Sequence, residues 1–339
     1  MAIPPPAQGW WLPCRKDHMK VLVYGFFNKG NLGDQFFKEA YSCIFPDYNF
    51  TFTNEITEEL LLDKDAIFFG GGSFLDGEPK IPRNIVEDLK NKKLFYIGIG
   101  AETDIHPWHK YLIKNSKLVA TRSKNSLDKL KKLNENTIFC NDLVYSLSDK
   151  VKLSSKKDKS ILFIPNAHMI SKWNDIGWKQ SSWEFFKSEC AQTFEHLISN
   201  GYSIDVLSMC NNSKHKDHYA AIEIISKTNI GEIKILPNKD YNFSELSKVV
   251  SEYDLIISSR YHGLVLADIT KTKSINIHHH DKLKYFSGNL NKNIDYYGCL
   301  KNNIISSINE VMIRLNCDTL ININDFRILK ENIDILIRN

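Results

Sequence analysis

The sequence predicts an α/β protein in which two domains of the doubly wound type face each other across a cleft. Three observations support this prediction. Short apolar runs alternate with helical segments along the chain, a polar segment interrupts the alternation once, and loops of glycine and polar residues follow several of the runs. At 339 residues the chain is also long enough to build two hydrophobic cores.

The first half contains four short apolar runs that are typical of strands buried on both faces of a parallel sheet. Helical segments follow two of them, one at residues 35–44 and one with periodic Leu127, Leu130 and Leu133. Strands that alternate with helices indicate a parallel sheet covered on both faces. The four strands are expected at residues 20–27, 65–69, 94–100 and 117–121.

The same alternation resumes after a lysine-rich segment without aromatic residues. Strands are expected at residues 160–165, 202–208, 233–236, 254–258 and 274–277, the last of which should end the sheet, and helices at 182–199, 218–227 and 304–315. The final stretch of alternating Ile and Asn gives no prediction. The resulting division is a disordered leader or expression scar at 1–18, a first domain at 19–147, a linker at 148–159, a second domain at 160–302, and a C-terminal helical tail at 303–339.

Composition and charge exclude several classes of protein. The net charge of +4 is mild, and no basic stripe interleaved with aromatic residues indicates nucleic-acid binding. The seven cysteines are scattered, which argues against a disulfide framework or a zinc site. No apolar run reaches the roughly 18 residues that span a bilayer. We therefore expect a cytoplasmic protein, with the lysine-rich helix around 124–132 as a possible peripheral contact to the inner membrane face.

Two glycine-rich loops follow predicted strands of the first half. In the first loop, Gly30, Asn31 and Gly33 precede Asp34, so backbone N–H groups and a helix N-terminus can meet an anion. A tight turn with Asp34 as helix cap explains the same residues. The second loop contains consecutive glycines before Ser73, which suit a ligand pressed against the main chain or a structural bend; the residues singled out there are Gly71, Gly72 and Ser73.

The third loop follows a buried strand of the second half and reads Ser258-Ser259-Arg260-Tyr261-His262-Gly263. The guanidinium of Arg260 can bind phosphate or carboxylate, and His262 can exchange a proton near neutral pH. A capped helix start with Arg260 in an ion pair is the structural alternative. The functional interpretation is favoured because two polar side chains, whose burial is unfavourable, follow the carboxyl end of the same buried strand.

The order of these motifs resembles the polysaccharide pyruvyl transferase family. GNLGD, FFGGGSFLD, TRSKNSLDKL, NDL and SSRYHG follow one another between about residues 19 and 297, and SSRYHG is the most specific of them. The resemblance implies a GT-B-like fold of two Rossmann-like domains. It also implies transfer of the enolpyruvyl group of phosphoenolpyruvate onto two hydroxyls of a sugar, with formation of a cyclic ketal, in the synthesis of a surface polysaccharide such as capsule or lipopolysaccharide.

The resemblance assigns roles to individual residues. Arg260 would hold the phosphate or carboxylate of the donor, His262 would be the general acid, and Asp34 would orient or deprotonate an acceptor hydroxyl. Lys282 or Lys284 would complete the anion site, and the loop residues Gly30, Asn31, Gly33, Gly71, Gly72, Ser73 and Ser259 would contact the donor. Phosphoenolpyruvate is then a co-substrate, and neither a cofactor nor a metal is required.

The sequence departs from the family pattern at two positions. Glu102 follows the turn after the third strand, where an acid suits the acceptor better than the donor, and Arg122 is followed by Ser123 instead of an acid. His168 and Trp183 are further acceptor candidates, the tryptophan through stacking on a sugar, although a surface loop and core packing explain them equally well. The run 278–280 of three histidines is more typical of a strand-end turn than of a metal site, because neighbouring residues on a strand alternate faces.

Two other functions fit the same architecture. A nucleotide-sugar glycosyltransferase generally needs a carboxylate in its second domain for the ribose, and Asp268 is the only acid between Arg260 and His280. A glycan-binding protein without activity would be expected to lack Arg260 or His262, and both are present. The pyruvyl transferase interpretation is therefore preferred, with the glycan or a lipid-linked saccharide as its partner.

Overall fold

The computed structural model describes residues 18–167, 169, 179–212, 216–231, 233–239, 241–286, 291–313 and 324–338. Within these residues the chain forms two parallel sheets of six strands each, covered by helices. Most strand positions are fully buried, as expected of sheets packed on both faces. The predicted fold class, two Rossmann-like α/β domains, is confirmed.

The first sheet has the strand order β2-β1-β3-β4-β5-β6, and all its strands are parallel. Its strands are β1 (Met19–Tyr24), β2 (Tyr48–Thr53), β3 (Ala66–Gly72), β4 (Lys93–Ile99), β5 (Leu118–Thr121) and β6 (Thr137–Phe139). The helices around it are α1 (Leu32–Ile44), α2 (Glu58–Leu61), α3 (Val86–Lys90), α4 (Pro107–Lys114) and α5 (Lys124–Lys131), with 3₁₀ turns at Arg83–Ile85 and Leu143–Lys150.

The second sheet has the order β12-β11-β10-β7-β8-β9 and is also parallel throughout. Its strands are β7 (Ser160–Ile164), β8 (Ser203–Leu207), β9 (Lys234–Leu236), β10 (Leu255–Ser258), β11 (Lys273–His278) and β12 (Asn291–Asp295). The helices are α6 (Lys179–Ser199), α7 (Asp217–Ile225), α8 (Phe243–Ser251), α9 (Tyr261–Ile269), α10 (Asp281–Lys284), α11 (Lys301–Ile313) and α12 (Asn324–Arg338), with a 3₁₀ turn at Tyr296–Gly298.

The strand orders place a topological switch point in each sheet. In the first sheet β2 lies on one side of β1, and β3 to β6 lie on the other side. The switch point therefore lies between β1 and β3. In the second sheet it lies between β7 and β10. Ligands of open parallel sheets bind outside the carboxyl ends of the strands at such points. The glycine-rich loops follow β1 and β3, and the Arg-Tyr-His loop follows β10.

The sequence prediction missed three strands, namely β2, β6 and β12, and wrongly ended the second sheet at β11. All three lie at sheet edges. The first reads YNFTFT and is mostly half-exposed, the second has three residues, and the third reads NKNID. An edge strand is open along one side, so it needs no continuous apolar run and gives a weaker pattern.

The C-terminal segment returns to the first domain. α11 packs on the second domain through Ile304, Ile308 and Val311. α12, which covers much of the stretch for which the sequence gave no prediction, packs Leu329 and Ile333 into a core shared with β1 and α1. Tyr48 Oη donates a hydrogen bond of 2.6 Å to Asp334 Oδ1 of this helix. Asn141 and Lys93 of the first domain also donate hydrogen bonds to α12.

The predicted linker is not free of the domains. The backbone N–H groups of Lys152 and Ser154 donate to Ser247 and Ser251 of α8, at 3.4 and 2.9 Å. The segment therefore runs along a helix of the second domain before β7. Residues 1–17 of the predicted leader lie outside the described residues.

Candidate functional site

The loop after β1 starts helix α1 and presents a carboxylate at the edge of the first sheet. Asn31 caps the helix, because its side chain accepts a hydrogen bond from the Gly33 N–H at 3.1 Å. The Asn31 amide donates to Asp34 Oδ2 at 2.8 Å. Gly30 has a φ of 68°, and a Cβ there would lie 3.2 Å from the backbone of Asn211 in the second domain. The loop thus fixes Asp34 and touches the opposite domain.

The glycines at the end of β3 bring bare backbone close to Asp34. Gly71 and Gly72 have φ values of 81° and 109°, which side chains rarely adopt. A Cβ on Gly71 would meet the ring of Phe37 at 2.6 Å, whereas one on Gly72 would lie 3.7 Å from Asp34 Oδ1. The backbone geometry therefore requires glycine here, and it leaves the Asp34 carboxylate facing the main chain of the second loop.

The loop after β10 places Arg260 and His262 at the start of α9. Ser258 Oγ accepts a hydrogen bond from the Arg260 N–H at 3.0 Å and donates to the Arg260 carbonyl at 2.9 Å, which fixes the turn. Ser259 is buried, and among the described residues its hydroxyl has no hydrogen-bond partner. Both candidate residues therefore stand at the carboxyl end of a buried strand, at the second switch point.

Arg260 is held by Asp217, a residue that the sequence analysis did not identify. Arg260 Nε donates to Asp217 Oδ2 at 3.0 Å, and Nη2 pairs with Oδ1. The same buried carboxylate accepts the N–H groups of Ala167 and Cys210 at 3.0 and 2.9 Å. Asp217 thus ties Arg260 to the ends of β7 and β8. The ion pair that the sequence left open is present, and it orients the guanidinium.

His262 is enclosed between the two domains. A Cβ on Gly33 would overlap its Nδ1, and the ring of Phe37 stands perpendicular to the imidazole at 5.2 Å between centroids. His262 Nε2 lies 3.8 Å from Asp142 Oδ2 and has no hydrogen-bond partner among the described residues. The first turn of α1 therefore packs directly against the imidazole.

The surroundings of His262 disfavour its protonated form. Burial lowers the pKa of His262 to about 4, opposed by Asp142 and assisted by the cations of Arg122, Lys282 and Arg260. The imidazole is therefore neutral at pH 7 in the free protein. A general acid at this position would need an added negative charge nearby to become protonated.

Arg122 joins the site from the first domain, directly after β5. Its Nη1 pairs with buried Asp142, and Nη2 donates to Ser73 Oγ at 3.2 Å. The guanidinium carbon lies 4.4 Å from the ring centroid of Tyr261 in the second domain. Among the described residues its buried Nε has no hydrogen-bond partner. In the sequence Arg122 stands out only as a departure from the family pattern, although an arginine directly after a buried strand is a usable signal of a site.

Lys282 completes a group of three cations. It is half-buried at the start of α10. Burial lowers the pKa of Lys282 to about 8, and repulsion from Arg122 and Arg260 adds to this effect, while Asp34 and Glu102 oppose it. Among the described residues Lys282 has no ion-pair partner, in contrast to the two arginines.

Lys284 does not join this group, which corrects the expectation that either lysine completes the anion site. Its side chain is exposed and lies 5.8 Å over the ring of Tyr285. The two lysines are two residues apart on α10, so their side chains lie on opposite sides of the helix, and Lys282 is the one that interacts with Asp34, Arg122 and Arg260.

Asp34 lies among these cations. Burial raises the pKa of Asp34 to about 6, although Lys282, Arg122 and Arg260 favour its charged form. Its carboxyl group therefore titrates close to neutral pH, at the centre of a site where both domains meet.

Glu102 borders the cation group on the side of the first domain. Ser73 Oγ donates to Glu102 Oε2 at 3.3 Å and accepts from Arg122, so the hydroxyl links the two charges. The Glu102 carboxylate folds back over Gly100, since a Cβ there would lie 2.5 Å from its oxygens. Glu102 is thus close to the site without occupying its centre.

Trp183 does not lie at the site, which corrects its selection as an acceptor contact. It is buried in the second core, stacks on Phe186 and donates from Nε1 to Glu223 at 2.7 Å. The apolar face that sugar stacking would need is used for core packing. His168, Trp173 and Trp178 lie outside the described residues.

The three histidines 278–280 have separate partners. His278 Nδ1 lies 3.7 Å from Asp295, His279 contacts Asn166 at 3.4 Å, and His280 accepts the N–H of Lys282 at 3.3 Å as the cap of α10. Each ring therefore has its own contact at the end of β11, as the strand-end interpretation predicts.

The comparison with known families decides the identity of the chain. A profile described as polysaccharide pyruvyl transferase matches residues 15–281, which is most of the sequence. The chain belongs to the polysaccharide pyruvyl transferase family. As a member of this family it is a transferase of polysaccharide biosynthesis, and membership implies a glycan acceptor. A search of curated protein sequences gave no significant match.

Solved structures agree on the fold of this pyruvyl transferase family member. The UDP-GlcNAc 2-epimerase of Methanocaldococcus jannaschii is 10% identical with a TM-score of 0.58, over 95% of this chain and 99% of that one. The corresponding Neisseria meningitidis epimerase is 12% identical with a TM-score of 0.57, over 95% of this chain and all of that one (100%). At these identities the likeness shows the fold alone, which is GT-B-like, as expected. Among the described helices none is long and apolar enough to cross a membrane.

Proposed function

We propose that this protein transfers the enolpyruvyl group of phosphoenolpyruvate onto two hydroxyls of one sugar in a surface polysaccharide or its precursor, forming a cyclic pyruvate ketal. The observation that carries this proposal is the convergence of Arg122, Arg260 and Lys282 around Asp34, where the two switch points meet. Phosphoenolpyruvate has a phosphate and a carboxylate close together, so it needs several cations in one place.

The site offers distinct partners for the two anionic groups. Arg260 is oriented by Asp217 and Arg122 by Asp142, so both guanidinium groups are fixed before a ligand arrives. Lys282 supplies a compact third charge. The helix α1 adds its N-terminal backbone dipole, and the glycine loop after β3 allows close approach to the main chain. Asn31, Ser73 and Ser259 add hydrogen-bonding groups beside them.

The reaction requires one proton donor and one proton acceptor. His262 protonates the methylene carbon, whose π electrons form the new C–H bond and leave an oxocarbenium at the neighbouring carbon. A sugar hydroxyl attacks that carbon and gives its proton to Asp34. The bond to the phosphate oxygen then breaks with its electron pair, and the second hydroxyl closes the ring. One hydroxyl proton replaces the one used on the methylene group, and the other leaves with phosphate.

We also propose how the acceptor is bound and where in the cell the enzyme works. Glu102 accepts hydrogen bonds from acceptor hydroxyls, and we keep His168 as a further acceptor contact. The reaction proceeds without cofactor or metal because cationic side chains neutralise the leaving phosphate. The enzyme works in the cytoplasm on a glycan or lipid-linked saccharide, at or near the inner face of the membrane.

Transfer from a nucleotide sugar is the alternative. The titles of the two epimerase structures name UDP-GlcNAc, and a shared fold is compatible with a related donor. The carboxylate that would bind a ribose is less suitable here, since Asp268 is buried and accepts a hydrogen bond of 2.7 Å from Tyr145 Oη. This contact supports phosphoenolpyruvate as the donor.

Phosphate release from phosphoenolpyruvate, measured with a panel of sugar acceptors, tests the proposal. We expect release that depends on an acceptor and falls at least about a hundredfold in Arg260→Ala and His262→Ala. Lys282→Ala should raise the KM for phosphoenolpyruvate about tenfold or more. The exposed residues Lys284 and Arg327 provide matched controls, and their alanine variants should behave as wild type.

Donor binding is measured separately by thermal shift. Stabilisation by phosphoenolpyruvate that is lost in Arg260→Ala supports the donor site. Stabilisation by UDP-GlcNAc and not by phosphoenolpyruvate, together with no phosphate release from phosphoenolpyruvate in the presence of any acceptor, would establish the glycosyltransferase alternative instead.

A further inference from the structure

Phe26 is an exposed aromatic residue at the first switch point. Among the described residues of the first domain, Phe26 is the only aromatic residue with an exposed side chain, at 47% of its surface. It lies two residues after β1, in the loop that continues to Asn31 and Asp34. Phe26 is therefore located at the carboxyl ends of the strands, the edge at which ligands of this fold bind.

The backbone around Phe26 is fixed, so its exposure does not come from a loose loop. The Gly25 N–H donates to the Thr53 carbonyl at 3.0 Å, and the Asn54 amide donates to the Phe27 carbonyl at 3.1 Å. Both neighbours of Phe26 are thus hydrogen-bonded to the end of β2. The phenyl ring leaves apolar surface in water, which is unfavourable unless a ligand covers it.

Phe26 is connected to the cation group through the loop after β3. Its ring meets buried Phe74 edge-to-face, with centroids 6.0 Å apart. The preceding residue, Ser73, is hydrogen-bonded to both Arg122 and Glu102. An aromatic surface, a carboxylate that can accept hydroxyl hydrogen bonds, and the donor-binding arginine therefore follow one another along one edge of the sheet.

We propose that Phe26 and Glu102 form the acceptor subsite, in which a pyranose ring without charge stacks on the Phe26 ring and donates hydroxyl hydrogen bonds to Glu102. This inference rests on the proposed function and names the acceptor chemistry for it. An exposed apolar ring and a carboxylate that are joined through Phe74 and Ser73 suit the C–H face and the hydroxyls of a sugar. The Glu102 carboxylate of the same subsite disfavours sulfated or uronic sugars.

Saturation-transfer NMR with methyl glucoside, galactoside, mannoside and N-acetylglucosaminide, each in the presence of phosphoenolpyruvate, tests the subsite. Wild type should saturate the ring protons of at least one glycoside. Phe26→Ala should weaken its binding about tenfold, and Phe26→Tyr should retain it. Phe185→Ala, which removes an equally exposed ring on α6 (51%), should have no effect.

The possible results separate the subsite from the donor assignment. Unchanged glycoside binding in Phe26→Ala, an equal loss in Phe185→Ala, or no binding of any glycoside by wild type would overturn the subsite. Thermal stabilisation by phosphoenolpyruvate should be the same in Phe26→Ala as in wild type. If that stabilisation is absent in wild type while glycosides still bind through Phe26, the donor assignment fails and the subsite stands.

Discussion

Burial disfavours the charged forms of both His262 and Asp34, so it shifts their pKa values in opposite directions. Burial holds His262 neutral, with a pKa of about 4, and brings the pKa of Asp34 up to about 6. The two arginines around them are already paired with Asp217 and Asp142. A donor with two anionic groups therefore enters a site with little unpaired positive charge, and its arrival must favour proton binding.

We expect donor binding to take up protons at pH 7.5, because the negative charge of phosphoenolpyruvate raises the pKa of His262, which is about 4 in the free protein, and of Lys282, which is about 8. Calorimetric titrations in two buffers with different ionisation enthalpies measure this uptake. A fraction of a proton to one proton should be taken up by wild type, and less by His262→Asn. Affinity should accordingly weaken as the pH rises above 7. Uptake that is the same in His262→Asn would show that His262 is not the residue charged by the donor.

At the scale of single elements, the N-terminus of α1 is the part of the first domain that His262 depends on. Gly33 has no side chain, and the imidazole occupies the space where one would be. Phe37, one helical turn later, confines the ring from the other side. The GNLGD motif therefore serves two purposes, since it places Asp34 and lets the opposite domain's histidine approach the helix.

Gly33→Ala should accordingly disrupt the site more than the fold. A methyl group there must displace either α1 or the buried imidazole, and overpacking of this kind costs about 1–3 kcal/mol. We expect phosphate release to fall at least about a hundredfold while the circular dichroism spectrum stays that of wild type. Gly298→Ala is the matched control, because a Cβ there meets no atom within 4 Å. Wild-type activity in Gly33→Ala would mean that His262 does not pack against α1 in the working enzyme.

The strands that are buried on both sides could be predicted from the sequence, whereas of the four edge strands only β9 was predicted. Buried strands such as β3 and β10 read as continuous apolar runs, and the loops after them were found because polar or glycine residues stand where a strand must end. Asp217 was not identified and Arg122 was given no role, because the importance of both comes from partners far away in sequence. Trp183 was misplaced for a related reason, since the sequence does not reveal which face of a helix meets the core.

At the scale of the whole molecule, the two domains share one core. The cluster that contains Val23 and Phe36 of the first domain also contains Phe243 and Leu264 of the second, and Leu329 of α12 belongs to it. Polar contacts cross between the domains as well, among them a hydrogen bond of 2.9 Å from the Phe243 N–H to Glu39. A shared core of this kind couples the stability of the two halves.

We therefore expect one cooperative thermal transition, with calorimetric and van't Hoff enthalpies that agree, in place of two independent domain transitions. Leu329→Ala should lower the free energy of unfolding by about 2–5 kcal/mol, because it opens a cavity in a fully buried position. Its neighbour Ile328 is 47% exposed, so Ile328→Ala should cost less than about 1 kcal/mol. If Leu329→Ala splits the transition in two, α12 is what joins the domains; if wild type already shows two transitions, the shared core does not couple them, and the geometry of the site must be set by ligand binding.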